Sequence, residues 1–207
     1  VECEINNVQV ADTSASLYHY KAMLEVHLTY GFDAKNTHLR CQLYYADTPG
    51  SEETYLATCD SFVKRKGWIR AHGGKIYFST PIHLDVFDSL RYLMPGVQIS
   101  LKFIRNDNKF CLLSATDTWK LKVNDLKIST RRITVHPDIL KAHKELLLKE
   151  PAIYPIALSK IHSITINNGT QQTSLSGIFR GKLPRFVLLG FVGSAGFNGA
   201  FNKNPFL

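Results

Sequence analysis

The feature that most constrains this chain is a set of short segments in which apolar and polar residues alternate with a period of two. The clearest is Val97 to Arg105, where Val97, Ile99, Leu101 and Phe103 fall on one face. Such a period sends successive side chains to opposite faces and suits a half-buried strand. Lys75 to Phe87 alternates through Ile76, Phe78, Ile82, Leu84 and Val86, with Pro81 marking an edge or a bulge. Trp119 to Ile128 alternates through Trp119, Leu121 and Val123, and Ser159 to Ile166 does so again. Phe110 to Ala115 and the apolar run within Arg185 to Val192 read as further strands, the latter fit for a buried sheet. Met94-Pro95-Gly96, Asn106 to Lys109 and Asn167-Asn168-Gly169 supply turns between them. Eight to ten short strands at this spacing predict a mainly β protein, a jelly-roll sandwich with inserted short helices.

Helical signals interrupt that pattern. Val1 to Asp12 reads as two extended pieces around Asn6-Asn7, and Thr13 or Ser14 can cap a following helix. That helix carries Leu17, Tyr20, Leu24 and Leu28 and stops near Gly31. Asp33 suits the cap of a second short helix bearing Leu39 and Leu43, with a strand as the alternative there. Pro137 opens an amphipathic helix through Ile139, Leu140, His143, Leu146 and Leu147, and Pro151 and Pro155 end it. This helix reads as a connector, which divides the chain into a partial first sandwich over 1–135, a connector over 136–156 and the start of a second sandwich over 157–207.

No apolar run reaches the length of roughly 20 residues that a membrane-spanning helix needs. The N-terminus carries no signal-peptide pattern, and Val at position 1 implies a processed chain or one cut from something longer. Cys3, Cys41, Cys59 and Cys111 lack CxxC spacing and are expected as buried free thiols in a reducing compartment. The sequon Asn168-Gly169-Thr170 reads as a turn.

Chemistry is sparse. His38 and Cys41 are three residues apart, yet no second pair completes a zinc shell. There is no His-x-His for a cupin-type metal, no Gly-x-Ser-x-Gly elbow and no phosphate loop with its lysine. His136 before Pro137 suits capping better than proton transfer, and Glu52-Glu53 suits a solvated loop better than a catalytic dyad. No catalytic residue, cofactor or metal is therefore expected, and the chain is not expected to be an enzyme. The formal net charge of +8 is uneven: residues 1–100 hold 9 Lys/Arg against 11 Asp/Glu, and residues 101–207 hold 16 against 6. Lys64, Arg65, Lys66 and Trp68, with Arg131 and Arg132, are the candidate nucleic-acid contacts, by phosphate pairing and base stacking. Either cluster alone suits a solvated face better.

Several blocks then agree with a known family. Gly181-Lys182-Leu183-Pro184, the apolar strand Phe186 to Val192, the stretch Phe197-Asn198-Gly199 and the final Lys203-Asn204-Pro205-Phe206 follow one another with characteristic spacing. Tyr30-Gly31, Leu43-Tyr44-Tyr45-Ala46-Asp47-Thr48, Phe103-Ile104-Arg105, Phe110-Cys111-Leu112 and Tyr154-Pro155-Ile156 precede them in order. Together they resemble the major capsid proteins of Polinton (Maverick) elements and related double jelly-roll viruses. The resemblance implies a shell subunit in trimeric, pseudo-hexagonal capsomers, located in the virion capsid and inside the host cell before assembly. Its implied partners are other copies, a penton-type minor capsid protein and packaged DNA. Val192-Gly193-Ser194-Ala195-Gly196 departs from the more polar loop of that family, and the chain stops at Leu207 where the family continues, which implies a fragment or a truncated copy. A nucleic-acid-binding β-domain using the basic C-terminal half is the alternative.

Overall fold

Asn6 and Asn7 both adopt positive φ, 49° and 62°, and so close a two-residue turn whose twist matches the strands on either side. The hairpin they make joins β1 (Glu2–Ile5) to β2 (Val8–Ala11). β3 (Ile99–Lys102) adds antiparallel to the other edge of β1, giving the order β2-β1-β3. In this computed structural model, residues 1–11, 17–50, 60–114, 118–178, 181, 183–200 and 202–206 are described. Asn6 also fixes the register of the third strand, its backbone N–H donating to Gln98 O at 2.9 Å while its side-chain oxygen accepts from Gln98 N at 2.9 Å.

Helices occupy more of the described chain than strands do. α1 spans Tyr18–Thr29, α2 Phe32–Asn36, α3 Asp60–Ala71, α4 Asn108–Cys111, α5 Pro137–Leu147 and α6 Ser194–Phe197. Single 3-10 turns lie at His38–Gln42 and Asp85–Asp88. The inward face of the sheet and the second of these turns share one core of Val1, Cys3, Leu84 and Val86, flanked by Ile5, Leu101, Ile82 and Ile156.

The expected mainly β architecture is therefore corrected. Among the described residues there are three strands, all in one small sheet, and neither a jelly roll nor a double jelly-roll is formed. Alternation alone does not make a strand, because a strand also needs a neighbour to take its backbone hydrogen bonds. Lys75 to Asp88 takes an irregular path into a 3-10 turn, Trp119 to Ile128 and Ser159 to Ile166 join no ladder, and Arg185 to Val192 runs exposed. The expected strand at Phe110 begins instead as α4, because Asp107 caps it through Asn108 N at 2.6 Å. The Asn108 side chain then holds Leu121 N at 3.1 Å, so the Trp119 segment docks through a side chain instead of a ladder.

Other local expectations match the structure. Helix α5 starts at Pro137 with His136 Nδ1 accepting from Asp138 N at 3.4 Å, and Gly169 turns at φ 80°. α1 forms where the apolar spacing placed it, although its buried residues are Tyr20, Lys21 and Val26. The expected cap at Thr13 or Ser14 lies outside the described residues.

Candidate functional site

Helix α1 is the hub at which distant parts of the chain meet, and it carries two different junctions. The first is aromatic. His19 and Tyr20 meet Phe110 of α4 with ring centroids 4.0 Å and 6.3 Å away. Phe197 of α6 stacks on Tyr20 at 6.0 Å, and Phe206 approaches it edge-on at 5.6 Å. The Tyr20 hydroxyl donates to Pro205 O at 2.7 Å across 185 positions of sequence. Gly196 lets this happen, because a Cβ there would lie 2.5 Å from Asn204 O. A cavity of about 200 Å³ opens between His19, Asn106, Asp107, Phe110, Phe197, Asn198 and Gly199.

Within it, Asn106 Nδ2 lies 3.1 Å from His19 Nδ1, and His19 Nε2 is buried with no hydrogen-bond partner among the described residues. With the amide donating, Nδ1 accepts and Nε2 carries the proton of a neutral ring. Burial pushes the His19 pKa down to about 4, consistent with that neutral form. Burial likewise raises the Tyr20 hydroxyl.

The second junction is ionic. Lys21, only 4% exposed, places its ammonium 2.5 Å from Asp85 Oδ1 and 3.4 Å from Glu25 Oε1. Glu25 Oε2 meets His83 Nδ1 at 2.7 Å, and the His83 N–H donates to the Tyr18 hydroxyl at 3.0 Å. Asp85 also accepts from Ser159 N at 2.7 Å and from Ser159 Oγ at 3.1 Å. Asp88 is held above the usual carboxylate range, first by burial and then by the charge of Glu25. Burial raises the Tyr18 hydroxyl too, against the opposing pull of its bond from His83. A cavity of about 330 Å³ lies over this group.

Glu25, Asp85 and Asp88 bring ligand atoms within 4.8 Å of one another, a spacing that a divalent cation accepts. Lys21 already sets a positive charge against two of them. A buried charge is tolerated when paired and hydrogen-bonded, and this network meets that need from the chain itself. Sequence inspection passed over it. The available signal was a lysine and a glutamate four apart on the apolar-spaced helix, with two aspartates bracketing buried Val86.

The candidate nucleic-acid residues fall elsewhere and do not converge. On α3, Lys64 pairs with Asp60, and Arg65 Nη2 reaches Asp47 Oδ1 at 3.0 Å and Ser61 Oγ at 3.2 Å. Lys66 lies over the Phe62 ring at 5.6 Å, and Trp68 stacks on His72 at 4.0 Å. Arg131 and Arg132 are exposed on an irregular segment. Among the family-motif residues, Phe197, Asn198, Gly199, Asn204, Pro205 and Phe206 gather at the aromatic junction, whereas Gly181, Leu183 and Pro184 stand exposed. Cys3, Cys41 and Cys111 are free thiols, but only Cys3 is buried as expected, Cys41 and Cys111 being exposed; Cys59 and Glu52-Glu53 lie outside the described residues. His38 packs on Tyr30 at 5.8 Å, while the Cys41 thiol donates to Ser79 O at 3.4 Å.

The arrangement defines a mixed chain: one small antiparallel sheet, short helices, and a C-terminal segment folded back onto the first helix. No protein family matches the chain, and no solved structure does. A curated protein of Caenorhabditis elegans, Uncharacterized protein F54H12.2, is 26% identical to it over 204 residues, which cover 97% of this chain and 46% of the relative. The chain thus spans about half the length of the curated relative it matches.

Proposed function

We propose that the chain is a structural subunit of a self-assembling protein shell, of the capsid kind that its sequence blocks resemble, and that it works without a reaction. It acts by burying apolar surface between copies. The observation that carries this reading is the exposed apolar surface of the segment from Trp119 to Val192. Trp119 is 64% exposed, Leu189 77% and Phe191 84%, and Ile133, Ile153, Leu158, Ile164 and Phe186 are exposed with them. Burying one such side chain is worth roughly 1.5–3 kcal/mol, so apolar side chains left in water in this number favour burial against a partner. A shell subunit uses such a surface, with trimeric capsomers, a penton-type partner and packaged DNA as the associations the resemblance implies. The capsid is then its place of work. No helix among the described residues is long and apolar enough to cross a membrane.

Nucleic-acid binding as the main activity has less support, because Lys64, Arg65 and Lys66 of α3 have partners within the chain and Trp68 is already stacked on His72. Light scattering of the purified chain at low and high salt tests the proposal. Assemblies of three or more copies that resist salt are expected, since apolar burial is not screened. A Phe186→Ser, Leu189→Ser, Phe191→Ser variant should fall to smaller species. A wild-type chain that stays monomeric at every concentration and salt overturns the shell reading.

A further inference from the structure

From Lys122 to Thr134 every residue is exposed, and no backbone group of that stretch bonds to another backbone group among the described residues. The stretch leaves the body of the chain at Leu121, whose N–H donates to Asn108 Oδ1 at 3.1 Å and whose carbonyl accepts from the Arg105 guanidinium. Residues 120–132 hold five cations, Lys120, Lys122, Lys127, Arg131 and Arg132, against one acid, Asp125. Asp125 pairs with Lys127 at 3.3 Å, and among the described residues no carboxylate pairs with the other four cations. Trp119, directly before Lys120, is 64% exposed. On α3 the opposite holds, since Lys64 and Arg65 are paired and Trp68 is stacked.

A solvated face accounts for lysines and arginines. It does not account for an indole left in water beside two unpaired lysines, because so large an apolar ring gains by leaving water. A ligand that uses both features carries repeated negative charge together with flat apolar faces. Single-stranded nucleic acid has the two side by side, phosphates for the cations and unpaired bases for the ring. An acidic peptide offers the charge without regularly placed rings. An anionic lipid surface takes up a helix with cations on one face and apolar residues on the other, and this stretch is not helical.

We infer that Trp119 to Arg132 is a binding strip for single-stranded nucleic acid. Lys120, Lys122, Arg131 and Arg132 meet its phosphates, and Trp119 stacks on a base. The inference rests on charge and exposure and not on the shell reading. Within a shell, the nucleic acid would cover the Trp119 end of the apolar surface and leave residues 153–192 to neighbouring copies.

The test is fluorescence anisotropy of a labelled oligothymidylate titrated with the full chain across a range of salt. Four phosphate contacts to a single strand give a slope of log affinity against log salt of roughly −3. Lys120→Ser with Lys122→Ser should make that slope shallower by about 1.4. Trp119→Ala should weaken binding about 10-fold at fixed salt and leave the slope unchanged, while Trp119→Phe keeps most of the affinity. Lys66→Ser with Arg70→Ser, on α3, should change neither quantity. Circular dichroism should be the same for all of these variants, because the substituted side chains are at the surface.

No binding at low salt overturns the inference. So does binding that the α3 pair abolishes, that Trp119→Ala leaves unchanged, or that polyglutamate displaces as well as unlabelled oligonucleotide does. Sedimentation with phosphatidylserine vesicles, lost in the double lysine variant while the oligonucleotide is ignored, overturns it in favour of a lipid surface. A chain that assembles but binds no oligonucleotide leaves the shell reading standing and sinks this one. A chain that binds but never assembles does the reverse.

Discussion

The first 111 residues and the segment from 118 to 193 carry similar apolar patterns, but among the described residues only the first buries part of its own, and even there Tyr77 and Leu90 stay exposed. In the first, Leu84 and Cys3 are fully buried, and a buried lysine is paired with carboxylates beneath a cavity. In the second, Phe186, Leu189 and Phe191 face outward. The difference lies in partners: the first region folds against itself through β1, α1 and the turn at Asp85, whereas the second touches it mainly by single polar contacts. Arg91 Nη1 holds Ile153 O at 2.8 Å, Met94 N donates to the Tyr154 hydroxyl at 3.0 Å, and Ser159 caps Asp85. An apolar pattern therefore tells which side wants to leave water, and not which molecule supplies the other side.

The largest effect expected from a single substitution is in the first region. Lys21→Met removes the ammonium facing Asp85 and Glu25 and leaves two part-buried carboxylates without it. Breaking such a pair from one side costs about 3–5 kcal/mol. Urea unfolding should show the free energy of unfolding fall by that amount, and an unchanged midpoint would mean that water already screens the group.

The contrast between regions is sharpest in a matched pair. Leu84→Ala opens a cavity in the core and should cost about 2–5 kcal/mol. Leu189→Ala, at 77% exposure, should change the unfolding free energy of the dissociated chain by less than about 0.5 kcal/mol, yet weaken assembly in light scattering. If both destabilise equally, the second region has its own core and the comparison fails.

Acid should find the aromatic junction next. The His19 pKa is lowered to about 4, against an ordinary 6.5, so the unfolded chain binds the proton first. Its contribution is fully present above about pH 6.5, is lost progressively as pH falls, and stops changing below about 4. The loss is at most roughly 3 kcal/mol over that window. His19→Gln should flatten this part of the pH profile of thermal unfolding. A profile that keeps its full acid slope in the variant assigns the slope to other groups.

How much of this was legible beforehand depends on the range of the interaction. Asn6-Asn7 and His136-Pro137 act on their own backbone, so the hairpin and the start of α5 could be read directly. α3 could not, because its charged run Lys64-Arg65-Lys66 carries no apolar period and drew attention as a basic cluster. The strands expected at 119–128, 159–166 and 185–192 failed on the missing neighbour, a property of the whole chain. Tyr20 and Pro205 are joined across 185 positions, and spacing says nothing about such a bond. The motif blocks 197–199 and 204–206 were singled out by resemblance, while their meeting place on α1 was not foreseen.

Gly196→Ala probes that meeting place with a smaller perturbation. The added methyl would lie 2.5 Å from Asn204 O and 3.3 Å from Pro205 Cα, both backbone atoms, so one of the two segments must shift. Overpacking of this kind costs about 1–3 kcal/mol, and here it should appear as release of residues 202–206 from Tyr20. The sharpest reading is amide hydrogen exchange: protection around Phe197 to Lys203 should drop, while β1 and β3 keep theirs. The two regions would then be shown to melt apart, with α1 holding the sheet side after losing the C-terminal one. If exchange in β1 rises together with that in α6, the junction is part of a single cooperative unit, and the C-terminal segment supports the core instead of merely resting on it.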